Sequence, residues 1–167
     1  EGIDLVAKHV GTKQPRLPDG TLCRPRPQPV SLWIDDAWMS IPFLARMGER
    51  TGERKWFDDA ARQVLGMSAR LFDEKKGLYD HSWYENALPV DPKFYWGRGA
   101  GWMLMSMAEL LTLMPEDHPD RPKVLDQYRR AVAGGGAGQG GAEGGHQLLA
   151  RAASDLETSA AGMLGLG

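Results

Sequence analysis

Residues 31–48 read SLWIDDAWMSIPFLARMG. On a helical wheel Trp33, Ile34, Ala37, Trp38, Met39, Ile41, Phe43, Leu44 and Met47 go nearly all the way round, which is the pattern of a helix buried on most sides. The spacing predicts a helix that starts near Ser31–Asp35 and runs to Gly48, with Gly48 and Gly52 bracketing a turn. Residues 54–72 differ. Trp56, Ala60, Val64, Met67 and Leu71 form one stripe, widened by Phe57, Ala61, Leu65 and Phe72. Asp58, Asp59, Arg62, Gln63 and Arg70 cover the other side, so this helix has one wet face. The same couple recurs further on. Residues 99–114, GAGWMLMSMAELLTLM, are apolar all round with Glu109 as the only charge. After the PEDHPD turn at 115–120, Val124, Leu125, Tyr128 and Val132 form a second stripe, with Asp120 placed to cap and Pro122 in the first turn. Buried helix, amphipathic helix, buried helix, amphipathic helix: two concentric layers of helices produce that alternation. No strand alternation competes over any useful length.

The segments between and beyond are less regular. Ile3, Val6 and Val10 have helical spacing. Residues 11–30 carry five Pro and read as a loop. Residues 73–98 form a long aromatic-rich loop, and loops of that length in compact domains tend to be functional. Residues 134–145 hold eight glycines in twelve positions and are expected to be irregular and poorly packed. From Ser154 the pattern is helical again, with Ser154 or Asp155 at the cap.

The whole chain has 167 residues, 42% apolar and 25% charged, as expected for one globular domain. Six Trp is high for the length, and 21 Gly compares with about 12 at average usage. A net charge of −2 shows no basic footprint for nucleic acid. The single cysteine, Cys23, excludes an internal disulfide framework and a Cys-rich metal site. No apolar run is long enough for a membrane span. The four scattered His give no metal-ligand spacing. Dinucleotide, phosphate-loop and G-x-S-x-G fingerprints are missing. No cofactor and no metal are expected. The chain begins at Glu1 without a leader pattern and stops at Gly167 inside a helix-like segment, so both ends read as cut.

Two constellations invite chemistry. In Trp33-Ile34-Asp35-Asp36-Ala37-Trp38-Met39 an Asp pair opens an apolar helix. One reading is capping and compensation of the helix dipole. The other is a carboxyl group set between indoles, where lost hydration of the charged form favours a proton-holding acid. The second constellation is His81-Ser82-Trp83-Tyr84-Glu85 with Tyr95-Trp96-Gly97-Arg98-Gly99-Ala100-Gly101-Trp102. Indoles pack on sugar C–H faces, and an Arg in an aromatic cleft suits a carboxylate gripped by two hydrogen bonds. Core aromatics with a surface ion pair are the alternative. His9 and His118 read as surface or loop residues, and His146 is left open.

Five segments in order resemble glycoside hydrolase family 105, the unsaturated rhamnogalacturonyl hydrolases, which are related to the unsaturated glucuronyl hydrolases. They are residues 15–48 (PRLPDGTLCRPRPQPVSLWIDDAWMSIPFLARMG), 77–86 (GLYDHSWYEN), 94–102 (FYWGRGAGW), the LMPEDHP turn at 113–119, and HQLL at 146–149 with DLETSAAGM at 155–163. The resemblance implies an all-α fold, a partial (α/α)6 barrel forming the central part of a longer domain. Residues 1–133 would be the central part of that catalytic domain, 134–145 a Gly-rich irregular segment, and 146–167 a further barrel loop and helix. The implied substrates are oligosaccharides ending in a 4,5-unsaturated uronic acid, released by lyases. The implied reaction is hydration of the vinyl ether rather than a paired-carboxylate displacement.

Carried over residue by residue, the family's D-x-x-x-M acid falls on Asp35 with Met39 four later, and Asp36 is the runner-up. His81 fits the G-L-x-x-H-x-W segment that also contains Trp83. Trp96, Arg98 and Trp102 fit W-x-R-x-x-G-W, which lines the sugar site. His146 and Gln147 fit a W-H/R-Q-L/V segment. Asp35 is therefore the expected catalytic residue. Trp38, Met39, His81, Trp83, Trp96, Arg98, Trp102 and His146 are the expected substrate contacts. The chain departs from the family at Gly145, where a Trp is usual, and at ARAAS after HQLL, where the family has an Asp-containing loop. Expected partners are an unsaturated uronyl oligosaccharide, with no nucleic acid and no membrane; the oligomeric state is left open. The expected compartment is the cytoplasm, with the periplasm and secretion also open. An inactive carbohydrate-binding remnant of the same fold, or a helical interaction module, is the alternative function.

Overall fold

The structure, a computed structural model, describes residues 2–26, 30–86, 93–138, 148–149, 159 and 162–163. The elements in chain order are α1 (Gly2–Thr12), β1 (Ser31–Trp33), α2 (Asp35–Thr51), α3 (Arg54–Leu71), β2 (Phe72–Asp73), β3 (Leu78–Tyr79), β4 (Ser82–Tyr84), α4 (Gly97–Leu113) and α5 (Arg121–Gly138). No helix among the described residues is long and apolar enough to cross a membrane.

The four helices read from periodicity are present and pack in two layers. α2 lies against α4, α3 lies against α5, and the layers meet through α2–α3 and α4–α5. The core is what the stripes predicted: Ile41 and Leu44 of α2, Val64 and Met67 of α3, Met103, Met107 and Leu110 of α4, and Val124 of α5 are all fully buried. Gly48 lets the first hairpin close, since a Cβ there would sit 2.6 Å from the Phe57 ring. α2 runs three residues past Gly48 and is closed by Gly52, in the left-handed conformation with φ 70°, whose N–H bonds the Gly48 carbonyl.

Three sequence expectations are corrected. First, within the range Ser31–Asp35 expected for the helix start, the helix begins at Asp35 and residues 31–33 are a strand. β1 pairs antiparallel with β4, in the register Ser31↔Tyr84, Leu32↔Trp83 and Trp33↔Ser82. β2 and β3 form a second ribbon where the expected helix passes into the stretch read as loop. Strands of two or three residues are too short to show alternation, and the apolar run Leu32–Ile34 merges with the helix that follows. Second, α5 continues through Gly138, five residues into the segment expected to be irregular. Gly134 explains part of this. A Cβ at Gly134 would lie 1.9 Å from the Gly77 carbonyl oxygen, so the helix meets the β2–β3 turn backbone to backbone. Residues 139–145 lie outside the described residues. Third, His118, read as a surface or loop residue, lies in the turn between α4 and α5 but is buried there. Its Nε2 lies 3.0 Å from an Asp58 oxygen, and its Nδ1 accepts the Asp120 N–H.

Arg16, Gly20 and Leu22 of the proline-rich segment are tied to α3. Arg16 makes two 2.7 Å bonds to Asp59. Gln63 accepts the Leu22 N–H at 2.7 Å and donates to the Gly20 carbonyl at 3.1 Å. This segment carries Arg24 up to the ribbon, where Arg24 and Ser31 exchange backbone bonds of 2.8 and 3.1 Å.

Candidate active site

Three stretches meet at the start of α2. His81 is the hub. Its carbonyl accepts the Ile34 N–H and its own N–H bonds the Phe94 carbonyl, both at 2.9 Å. The β1–β4 ribbon and the approach to α4 are thereby clasped on one residue. Ring contacts repeat the arrangement at side-chain level: Trp33 at 5.5 Å, Trp96 edge-on at 5.3 Å and Phe94 edge-on at 6.3 Å from the His81 imidazole.

Asp35 occupies the first turn of α2. Its Oδ2 lies 3.6 Å from His81 Nδ1, beyond hydrogen-bond range. Both atoms are buried and neither has a hydrogen-bond partner, and the same holds for Trp33 Nε1. Buried polar groups in folded proteins are normally paired, so three unpaired atoms on touching residues make this place the candidate for a bound molecule.

Asp36 behaves differently. It accepts from Arg24 Nε and Nη2, each at 2.6 Å. The residue before α2 is Ile34, and no side chain caps the helix, so the capping reading of the Asp pair is set aside. The adjacent carboxylates have separate jobs, because residues one apart point about 100° apart on a helix.

α4 brings the remaining groups. Arg98, in its first turn, stacks 4.2 Å above the Trp96 ring and donates to Ser159 Oγ at 3.3 Å. Trp102, one turn on, meets Trp38 of α2 with ring centroids 5.4 Å apart. Gly101 lies against Met163, where a Cβ would approach to 2.5 Å. Leu148 bridges to Trp96, and the Leu149 N–H bonds the Tyr95 carbonyl at 2.9 Å.

The expected residues therefore divide. Asp35, His81, Trp96 and Arg98 form a continuous chain of contacts, and Trp38 and Trp102 join through α2 and α4. Met39 is on α2 and 63% exposed, and lines a small cavity with Asp36, Ser40, Leu22 and Cys23. Trp83 does not join. It pairs with Leu32, on the ribbon face opposite Trp33, and packs with Leu17 and Cys23 under the Arg70 guanidinium. Its side chain packs there, and the two-residue period of a strand places it on the face away from Trp33. His146 lies outside the described residues. Sequence reasoning left Arg24, Phe94 and Ser159 out of the site, and did not count Trp33 among its contacts. Phe94 sits in the FYWGRGAGW motif and was recoverable. Nothing in RPRP signals that Arg24 reaches Asp36. Among the described residues no group of His, Cys, Asp and Glu is placed to hold a metal ion.

The family model for Glycosyl Hydrolase Family 88 matches residues 2–165. The chain belongs to that family. The solved structure of a C. acetobutylicum ATCC 824 glycoside hydrolase from family 105 superposes with a TM-score of 0.87 at 26% identity, over 98% of this chain and 48% of that one. The expected family 105 membership and partial (α/α)6 barrel are thus borne out. The unsaturated rhamnogalacturonyl hydrolase YesR of Bacillus subtilis (strain 168) is 32% identical over 119 residues, 68% of this chain and 35% of that protein. The unsaturated glucuronyl hydrolase of Bacillus sp. GL1 shares the fold, with a TM-score of 0.63 at 16% identity, over 95% of this chain and 48% of that one. The family 88/105 chain described here spans half or less of the length of these relatives.

Proposed function

We propose that the protein carrying this chain is a glycosidase that removes a terminal 4,5-unsaturated uronic acid from lyase-generated oligosaccharides by hydrating its vinyl ether. The observation that carries this reading is the Asp35–His81 pair, with two buried polar atoms 3.6 Å apart and unsatisfied. Asp35 gives its proton to C4 of the sugar. The oxocarbenium character that develops at C5 is met by water. A water oxygen can approach both Asp35 Oδ2 and His81 Nδ1 from the apex of that 3.6 Å base. The proton it loses returns to Asp35, which restores the acid. The hemiketal formed at C5 rearranges and releases the neighbouring sugar. Arg98, held flat on Trp96, meets the C5 carboxylate with its fork, and Trp38 and Trp102 supply apolar faces for the ring.

YesR and the Bacillus sp. GL1 enzyme, whose names state unsaturated rhamnogalacturonyl and glucuronyl hydrolysis, support this class of substrate. An unsaturated disaccharide from a pectin lyase digest is the first substrate to offer. The absorbance of its C=C bond should fall with time and stay constant with Asp35→Asn. Binding without loss of absorbance by the unmutated protein would select the carbohydrate-binding alternative. The cytoplasm is the compartment we propose. The lone, free and buried Cys23 accords with a reducing environment, and cell fractionation tests it.

A further inference from the structure

Arg24, in the described part of the proline-rich segment, reaches the start of α2 and makes two kinds of contact at once. Its fork closes on Asp36 through two 2.6 Å bonds. Its guanidinium carbon lies over the Trp33 ring, 4.5 Å from the centroid. Trp33 in turn leans on His81, and Asp35 stands between Trp33 and Asp36 in the chain. The Arg24 backbone is fixed by its mutual bonds to Ser31, so the fork is presented from a rigid base. An Arg in this geometry is doubly constrained, by a planar bidentate bond and by stacking, and Lys reproduces neither.

We propose that Arg24 and Asp36 form a positioning clamp for the site. The pair fixes the first turn of α2 against β1, holds the Trp33 ring against the His81 imidazole, and consumes the Asp36 carboxylate so that Asp35 alone faces His81. The clamp's consequence for turnover rests on the reading of Asp35 as the acid. The clamp itself is a statement about geometry and is tested without turnover.

The test compares Arg24→Lys with Arg70→Lys. Arg70 is the matched control: it also stacks on an indole, Trp83, at 5.4 Å and pairs with an Asp, Asp19, but on the far face of the ribbon. The first readout is the NMR resonance of the His81 ring protons, which the Trp33 ring current displaces. Arg24→Lys should move the His81 signals and the Trp33 indole N–H signal, with far-UV ellipticity retained, and Arg70→Lys should leave them in place. In the protein carrying this chain, Arg24→Lys should lower kcat about tenfold with KM within about twofold, and Asp36→Asn should do the same. The double variant should be no worse than either single one, because partners in one interaction do not add. Unmoved His81 signals in folded Arg24→Lys, or equal movement in Arg70→Lys, would overturn the clamp. Retained turnover in folded Asp35→Asn would instead overturn the acid reading and leave the NMR result standing.

Discussion

Asp35 Oδ2 stands 3.6 Å from His81 Nδ1, while the next carboxylate along the chain, Asp36, is engaged at 2.6 Å by two nitrogens of Arg24. Two neighbouring residues of one type are thus given opposite assignments by what faces them. The first is held beside an imidazole with bonding capacity unspent, and the second is committed to the fold.

Replacing Asp35 with Asn keeps the shape and removes the acid. Steady-state rates on an unsaturated uronyl disaccharide should show kcat reduced by about 10²–10⁴, the range for loss of a general acid, with the melting temperature close to that of the parent. Asp36→Asn should cost about 1 kcal/mol of stability, since the lost ion pair is only partly buried, and its effect on kcat should stay near tenfold.

Arg98→Lys should separate binding from chemistry. The ammonium keeps the charge but loses the fork and the stack on Trp96, so KM should rise by about tenfold, equal to roughly 1.4 kcal/mol, with kcat falling less. An unchanged KM would remove Arg98 from the carboxylate site.

Gly134→Ala tests the helix that enters the glycine-rich segment. In an ordinary helix interior this change would stabilise by about 1 kcal/mol. Here the new methyl would collide with the Gly77 carbonyl, 1.9 Å away, and neither partner is a flexible side chain. Urea denaturation should show a net loss of about 3 kcal/mol.

Asp19 supplies a pH prediction. Partial burial pushes its carboxyl up, but the Thr21 N–H and hydroxyl and the Arg70 guanidinium outweigh that and bring it down to about 2. A carboxyl lowered by folding stabilises the native state above its ordinary value near 3.8, and that stabilisation is lost as pH falls through about 2. With nearly half the side chain in water, the effect should be below about 1 kcal/mol. Asp19→Asn should therefore melt slightly earlier than the parent at pH 5, and the two curves should converge between pH 4 and about 2.

The layered fold was legible because Ile41, Leu44, Val64, Met67, Met107 and Leu110 repeat at helical spacing over three or more turns, where the period cannot be mistaken. Asp35, His81, Trp96, Arg98 and Trp102 were legible through motif resemblance. Direction was not legible where an element is short. Trp33 and Trp83 look alike in sequence, yet they lie on opposite faces of a three-residue ribbon, and a register shift of one would have put both on the same face. The extension of α5 through Gly138 was hidden for another reason. Glycine composition argues for coil, and only the closeness of Gly77 shows why a residue without a side chain is required at Gly134. The Arg24–Asp36 contact depends on where the loop from Pro15 to Val30 is carried, which the tie of Arg16 and Gln63 to α3 decides.

The pairing of β1 with β4 also sets an order of events. α2 and α3 are joined by a two-residue turn and can find each other quickly. Trp33 and His81 meet only after a loop of roughly fifty residues has closed, at a substantial cost in chain entropy. During refolding the ellipticity of the helices should therefore recover ahead of the quenching of indole fluorescence by the His81 ring. A chain caught between those two moments is largely helical and has no site, so a circular dichroism spectrum alone certifies the scaffold and not the enzyme.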